Sequence, residues 1–125
     1  KFGAVETGFE EIIEEVDILT LHVPLTENTE NLIDKSVLAT MKPSAFLINT
    51  SRGRVVNQGD LHQALVSGEI AGAGLDVFWE EPPVEAEFLQ LPNLMVTPHI
   101  GGNARESIDA MGGAAIQNLV DYFGL

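Results

Sequence analysis

Apolar positions along this chain follow two alternating rhythms. Phe9, Ile12, Ile13 and Val16 recur at i, i+3, i+4 and i+7, which predicts an amphipathic helix over Phe9–Val16. A short strand, Asp17–His22, comes next and breaks at Pro24. Ser36–Met41 reads as a short helix with Ser36 as its N-cap, stopped by Pro43. Ala45–Thr50 is almost wholly apolar and predicts a second strand. Asn57 caps a helix running to Ser67, and Gly68 stands where a helix-ending glycine belongs. Gly72–Val77 and Leu94–Pro98 predict two more strands, separated by a proline-rich acidic loop, Trp79–Pro92. A last helix begins near Ala104 and runs to Phe123, with Asn103 as N-cap and Glu106 placed for a capping box. Ala4–Glu6 is a candidate for one further strand. Apolar strands separated by helices predict an α/β fold: one parallel sheet with helical crossovers, its strands buried on both faces.

Composition narrows the functional classes. The 125 residues carry 19 acidic and 6 basic side chains, a formal net charge of −13. Phosphate backbones and anionic membranes are bound by clustered Lys and Arg, so neither nucleic acid nor membrane is expected as a partner. There is no cysteine, which excludes disulfides, thiolate metal sites and cysteine nucleophiles. His22, His62 and His99 are too far apart for a local metal-ligand motif, and no metal is expected. No apolar run reaches the roughly 20 residues of a membrane span, and Lys1-Phe2-Gly3-Ala4 does not open a signal peptide. The expectation is a cytoplasmic domain.

In open parallel sheets, ligands bind beyond the carboxyl ends of the strands. Polar and glycine residues of this chain collect there: His22-Val23-Pro24, Asn49-Thr50-Ser51-Arg52-Gly53, Asp76 with Glu80-Glu81-Pro82, and Pro98-His99-Ile100-Gly101-Gly102. Singly, each has a plain structural role open to it. Arg52 could pair with surface acids, Glu81 could be a solvated loop acid, His99 a satisfied core histidine, and Asp76 a cap for local backbone. Together they fit one chemistry. A guanidinium captures a carboxylate in bidentate fashion, and a carboxylate beside an imidazole favours its charged form. That imidazole can then give a proton to a carbonyl oxygen while the carbon receives a hydride. A serine-hydrolase arrangement of Ser51, His99 and Asp76 is disfavoured, because no G-x-S-x-G elbow surrounds Ser51. Gly68, Gly72 and Gly74 precede a strand and serve turning and close packing. Gly101-Gly102 joins a strand to a helix, where free N–H groups favour polar or anionic ligand atoms.

The runs Leu21–Thr26, Leu47–Gly53, Ala73–Phe78, Glu80–Pro82 and Thr97–Gly102 together resemble the D-isomer-specific 2-hydroxyacid dehydrogenases over about residues 4 to 123. The resemblance implies a partial Rossmann-type NAD-binding domain from an oxidoreductase acting on small 2-hydroxy or 2-oxo acids. It implies that Arg52 binds the substrate carboxylate and 2-oxo group, that His99 is the acid/base, and that Glu81 tunes it. It places Val23 and Pro24 along the adenosine, and Thr50, Arg52 and Asp76 near the nicotinamide ribose and carboxamide. Ser51, His99, Gly101 and Gly102 complete the implied cofactor set. NAD is the implied cofactor, with NADP open.

The chain departs from that family by lacking the G-x-G-x-x-G turn and the acidic ribose-binding residue after the next strand. Residues 1–125 therefore read as the C-terminal half of the dinucleotide-binding domain, without its first βαβ half or the substrate domain. Weak cofactor affinity is expected of such a chain alone, and an exposed apolar sheet edge and exposed apolar helix faces are expected to favour a homodimer or strand exchange. Two other readings stay open: an NAD-sensing interaction module without catalysis, and a folded fragment with no activity of its own.

Overall fold

A computed structural model describes residues 3–124. The element order is α1 (Phe9–Glu15), β1 (Ile18–Leu21), α2 (Lys35–Thr40), β2 (Phe46–Asn49), a 3-10 turn (Gly53–Val55), α3 (Gln58–Ser67), β3 (Gly72–Leu75), α4 (Ala86–Leu89), β4 (Leu94–Val96) and α5 (Arg105–Phe123). The four strands form one parallel sheet in the order β1-β2-β3-β4. Leu19 is level with Leu47 and Leu47 with Ala73, while Leu21, Asn49 and Leu75 form the next row. Successive parallel strands joined by right-handed crossovers carry their helices on one face. On that face Leu19, Leu21, Leu47 and Leu75 pack with Ile13, Leu38, Leu61, Leu65 and Phe88 into a single core.

The other face is bare, contrary to the expectation of strands buried on both sides. Ile18, Phe46 and Met95 are 62%, 47% and 73% exposed, and burial alternates along β1 and β2. α5 contributes no buried residue, so nothing described covers this side.

Local signals set most boundaries. Asn57 caps α3 by accepting from the Asp60 N–H at 3.1 Å, and Gly68 ends it in the left-handed conformation at φ 71°. The cap of α2 is Asp34, not Ser36. Its carboxylate accepts from the Ser36 and Val37 N–H groups and from the Ser36 hydroxyl. An anion at a helix start answers both the orphan donors and the dipole, so it outcompetes the neighbouring hydroxyl. α5 likewise starts after Ala104 with no side-chain cap. Asn103 instead spends its N–H on the Ile100 carbonyl, closing the preceding turn. Ala4–Glu6 forms no strand. The acidic loop is not wholly irregular, since α4 sinks Phe88 to 2% exposure within it.

Candidate active site

The site lies at the carboxyl ends of β2, β3 and β4. β2 ends in the fully buried Asn49, whose side chain shapes the turn beyond the strand. Its Oδ1 accepts from the Ser51 N–H and hydroxyl, and its Nδ2 donates to the Arg52 carbonyl at 2.9 Å. This Asx turn presents Arg52 at the surface, where its guanidinium donates to the Ser51 carbonyl. The next residue is Gly53 because nothing else fits. A Cβ there would lie 2.1 Å from the Phe78 carbonyl carbon and oxygen and 2.6 Å from the Trp79 nitrogen.

β3 delivers Asp76, which is 6% exposed. Its Oδ1 accepts from the Thr97 hydroxyl and the Ile100 N–H, and its Oδ2 from the Gly101 N–H at 2.8 Å. Burial pushes this carboxyl up. The hydrogen bonds from Thr97, Ile100 and Gly101, with the charge of His99, more than offset that and hold it below its ordinary 3.8. Asp76 thus ties down the turn that carries His99. His99 itself sits at φ 53°, a left-handed conformation costly for a non-glycine residue, with its N–H on the Thr97 carbonyl. Of Gly101 and Gly102, whose N–H groups the sequence suggested were free for a ligand, Gly101 donates to Asp76 instead, as does Ile100.

Glu81 and His99 meet. His99 Nδ1 is 2.7 Å from Glu81 Oε2, and the Phe78 N–H donates to Glu81 Oε1 at 3.0 Å. The His99 bond, then the Phe78 bond, hold the Glu81 carboxyl below its ordinary 4.5. Both side chains are partly exposed, and with Phe78, Pro82, Pro83 and Pro98 they line a cavity of about 220 Å³. Arg52 forms no ion pair or hydrogen bond with either, but reaches the same end of the sheet on the neighbouring strand.

The Ser51-His99-Asp76 alternative fails on geometry. The Ser51 hydroxyl is bonded to Asn49, Asp76 to the Thr97–Gly101 turn, and His99 to Glu81. Val23 is half-buried against the core, and Pro24 lies exposed just past β1, its carbonyl held by Thr29 Oγ1 at 2.6 Å. Thr50 and Asp76 line an open apolar cleft with Ile48, Gly74, Met95 and Thr97. Gly74 keeps the floor of that cleft low, since a Cβ there would already crowd Ile48. Among the described residues no cluster of acidic and histidine side chains gathers to hold a metal, and no helix is long and apolar enough to cross a membrane. Asn49, Phe78 and Thr97 lie within the sequence motifs but were given no role there, and Trp79 lies outside them. A polar residue closing an apolar strand is the one local sign that pointed to Asn49.

The parallel sheet gathers an arginine, a carboxylate–imidazole pair and a buried aspartate at its strand ends, where open α/β sheets bind ligands. Residues 1–101 match the family model described as D-isomer specific 2-hydroxyacid dehydrogenase, NAD binding domain, and the chain belongs to that family. It is 45% identical over 122 residues to the glyoxylate reductase of Thermococcus litoralis, covering 98% of this chain and 37% of that protein. It is 46% identical over 121 residues to the glyoxylate/hydroxypyruvate reductase B of Pectobacterium carotovorum, covering 96% of this chain and 38% of that protein. Among solved structures, the NAD complexed form of a D-isomer specific 2-hydroxyacid dehydrogenase from Lactobacillus delbrueckii ssp. bulgaricus superposes with a TM-score of 0.82 at 36% identity. The match covers 94% of this chain and 40% of that one. A glyoxylate reductase from Paecilomyes thermophila gives a TM-score of 0.86 at 35% identity, covering 90% and 34%. The chain therefore spans well under half the length of these relatives.

NAD is the cofactor of this domain family, and the residues present suit it. An ionised carboxylate offers about four lone-pair sites. Asp76 uses three, two on Oδ1 and one on Oδ2, which leaves an acceptor at the cleft for an amide N–H. The apolar floor at Ile48 and Gly74 suits a flat ring.

Proposed function

We propose that this chain is the cofactor-side half of an oxidoreductase that moves a hydride between NAD(H) and a small D-2-hydroxy acid or its 2-oxo counterpart. The observation that carries the proposal is the 2.7 Å contact between His99 Nδ1 and Glu81 Oε2, at the sheet end that also bears Arg52. NAD, when bound, supplies the hydride acceptor or donor. Glu81 holds the proton on Nδ1, which leaves Nε2 to exchange a proton with the substrate oxygen. The Arg52 guanidinium, unpaired with any acid among the described residues, holds the substrate carboxylate and orients the reacting carbon. Asp76 and Thr50 hold the nicotinamide end of the cofactor, with Ser51, Gly101 and Gly102 bordering it and Val23 and Pro24 along the adenosine. The relatives named glyoxylate reductase and glyoxylate/hydroxypyruvate reductase support a reading in which the substrates are short, unbranched 2-oxo acids, with NADP an alternative to NAD.

We further propose that the chain by itself assembles as a homodimer. Its accessible surface is 8632 Å², against about 6,500 Å² for a compact monomer of its 13.5 kDa mass. The excess, roughly 2,000 Å², is the scale of a stable interface, and sedimentation at increasing concentration tests it. The catalytic reading is tested by loss of reduced-nicotinamide absorbance with glyoxylate, hydroxypyruvate and pyruvate. His99→Ala is expected to lower turnover about 100-fold or more while leaving NADH binding in place. Equal rates in the two proteins overturn it. Arg52→Ala separates this reading from that of a cofactor-sensing module, because only a dehydrogenase needs the guanidinium for turnover.

A further inference from the structure

Two segments that carry different parts of the site meet away from the cleft. Arg52 is the N-cap of the 3-10 turn Gly53–Val55, and that turn touches the Glu81-bearing loop twice. At its start, Gly53 lies so close to the Phe78–Trp79 peptide that no Cβ could be placed between them. Just beyond its end, the Trp79 indole Nε1 donates to the carbonyl of Val56, a residue with no exposed surface. The indole is held from the other side by an edge contact with the buried Phe88, 5.8 Å between ring centroids at 77°. On the other side of the same residue, the Phe78 N–H donates to Glu81 Oε1, whose partner oxygen meets His99.

We infer that Trp79, with Gly53 as the surface it closes on, is a positioning residue. It braces the Arg52 segment against the Glu81 loop, so that the spacing between guanidinium and imidazole is set before any substrate arrives. The inference rests on the roles given above to Arg52, Glu81 and His99. A tryptophan that merely filled space would not need its one polar atom aimed at a buried carbonyl. Here that N–H joins the two segments, and its loss leaves the Val56 oxygen unpaired. With the brace open, the Phe78 peptide can turn away, and Glu81 loses one of the two partners that keep its carboxylate in place.

The test uses the 125-residue chain and the substitution Trp79→Phe, which keeps an aromatic edge for Phe88 but has no N–H. Phe88→Leu loosens the opposite anchor and serves if the first variant folds poorly. Ile70→Val, a core deletion elsewhere, controls for general loss of stability. Native-state hydrogen exchange is read at the Phe78 amide against that of Leu47, and the Glu81 carboxyl is titrated by carbon NMR. The expected result is exchange at Phe78 about tenfold faster than any change at Leu47, with the Glu81 titration moved up toward its ordinary value. Ile70→Val should do neither. Exchange that rises equally at Phe78 and Leu47, with Glu81 titrating as before, overturns the brace. The parent reading is judged separately in His99→Ala: a Glu81 titration unmoved there would overturn the Glu81–His99 pair, while the exchange comparison would still decide the brace.

Discussion

Asp76 makes the most exacting test of how this site is built. In Asp76→Asn the side chain keeps its size, and its remaining oxygen can still accept from Thr97 and Ile100. The new amide nitrogen then faces the Gly101 N–H from 2.8 Å, donor against donor. One bond to a charged group is lost, worth about 1.5–3 kcal/mol, and the other two weaken as their acceptor becomes neutral. A neutral amide is cheaper to bury than a carboxylate, and this returns part of the loss. The net destabilisation is about 2 kcal/mol. For 125 residues the unfolding entropy near the melting point is about 0.26 kcal/mol/K, so melting should fall by roughly 8 °C near neutral pH. The pH dependence has a definite sign. The folded carboxyl titrates below its ordinary 3.8, so its contribution is complete above that value and is lost as pH falls through the folded pKa. The gap between wild type and Asp76→Asn in thermal or urea unfolding should therefore narrow in acid, because a protonated Asp76 bonds much as asparagine does. An equal gap in acid and at neutrality, or none at neutrality, would refute the reasoning.

Other outcomes depend on single contacts. Gly53→Ala forces a methyl into the Phe78 backbone and should cost at least about 1–3 kcal/mol of stability, read as a lower urea midpoint. Phe88→Ala empties the space beneath Trp79 and His62 and should cost about 3–5 kcal/mol, read by calorimetry. Glu81→Gln should flatten the loss of stability on acidification, since Glu81 titrates below its ordinary 4.5 and its contribution disappears as pH falls through that lowered value. Arg52→Ala should leave the melting temperature nearly unchanged, because among the described residues its guanidinium bonds only to the adjacent Ser51 carbonyl, while turnover with a 2-oxo acid collapses.

Much of the fold was legible in the sequence because its signals are local. Asn57 and Gly68 bracket α3 within the helix and its flanks, and the apolar runs of β1 to β3 need no distant partner to declare themselves. The meeting of Glu81 with His99 was readable because both stand at strand ends, which a parallel sheet brings to one side. What escaped depends on contacts far apart in the chain. Asp76 reaches 24 and 25 residues forward to Ile100 and Gly101, and the Trp79 indole reaches 23 residues back to Val56. No periodicity encodes such pairs. Asp34 was passed over for Ser36 because both are good caps, and only the backbone angle at each position decides between them. The bare sheet face was missed because apolar residues read as buried whether or not anything lies over them.

α5 has a consequence for how the chain folds. Nineteen residues long, it buries none of them, and it carries Gly112 and Gly113 in its middle, each costing about 1 kcal/mol of helix stability relative to alanine. A helix without a packing surface is marginal in water, because most helical stability in proteins comes from what the apolar face rests on. Ile108, Met111, Ile116 and Leu119 are therefore a reporter of company: ordering of this segment and burial of its face are one event. Its amides should exchange quickly in the dilute chain and become protected only as the chain associates, so that helix content itself becomes a function of concentration.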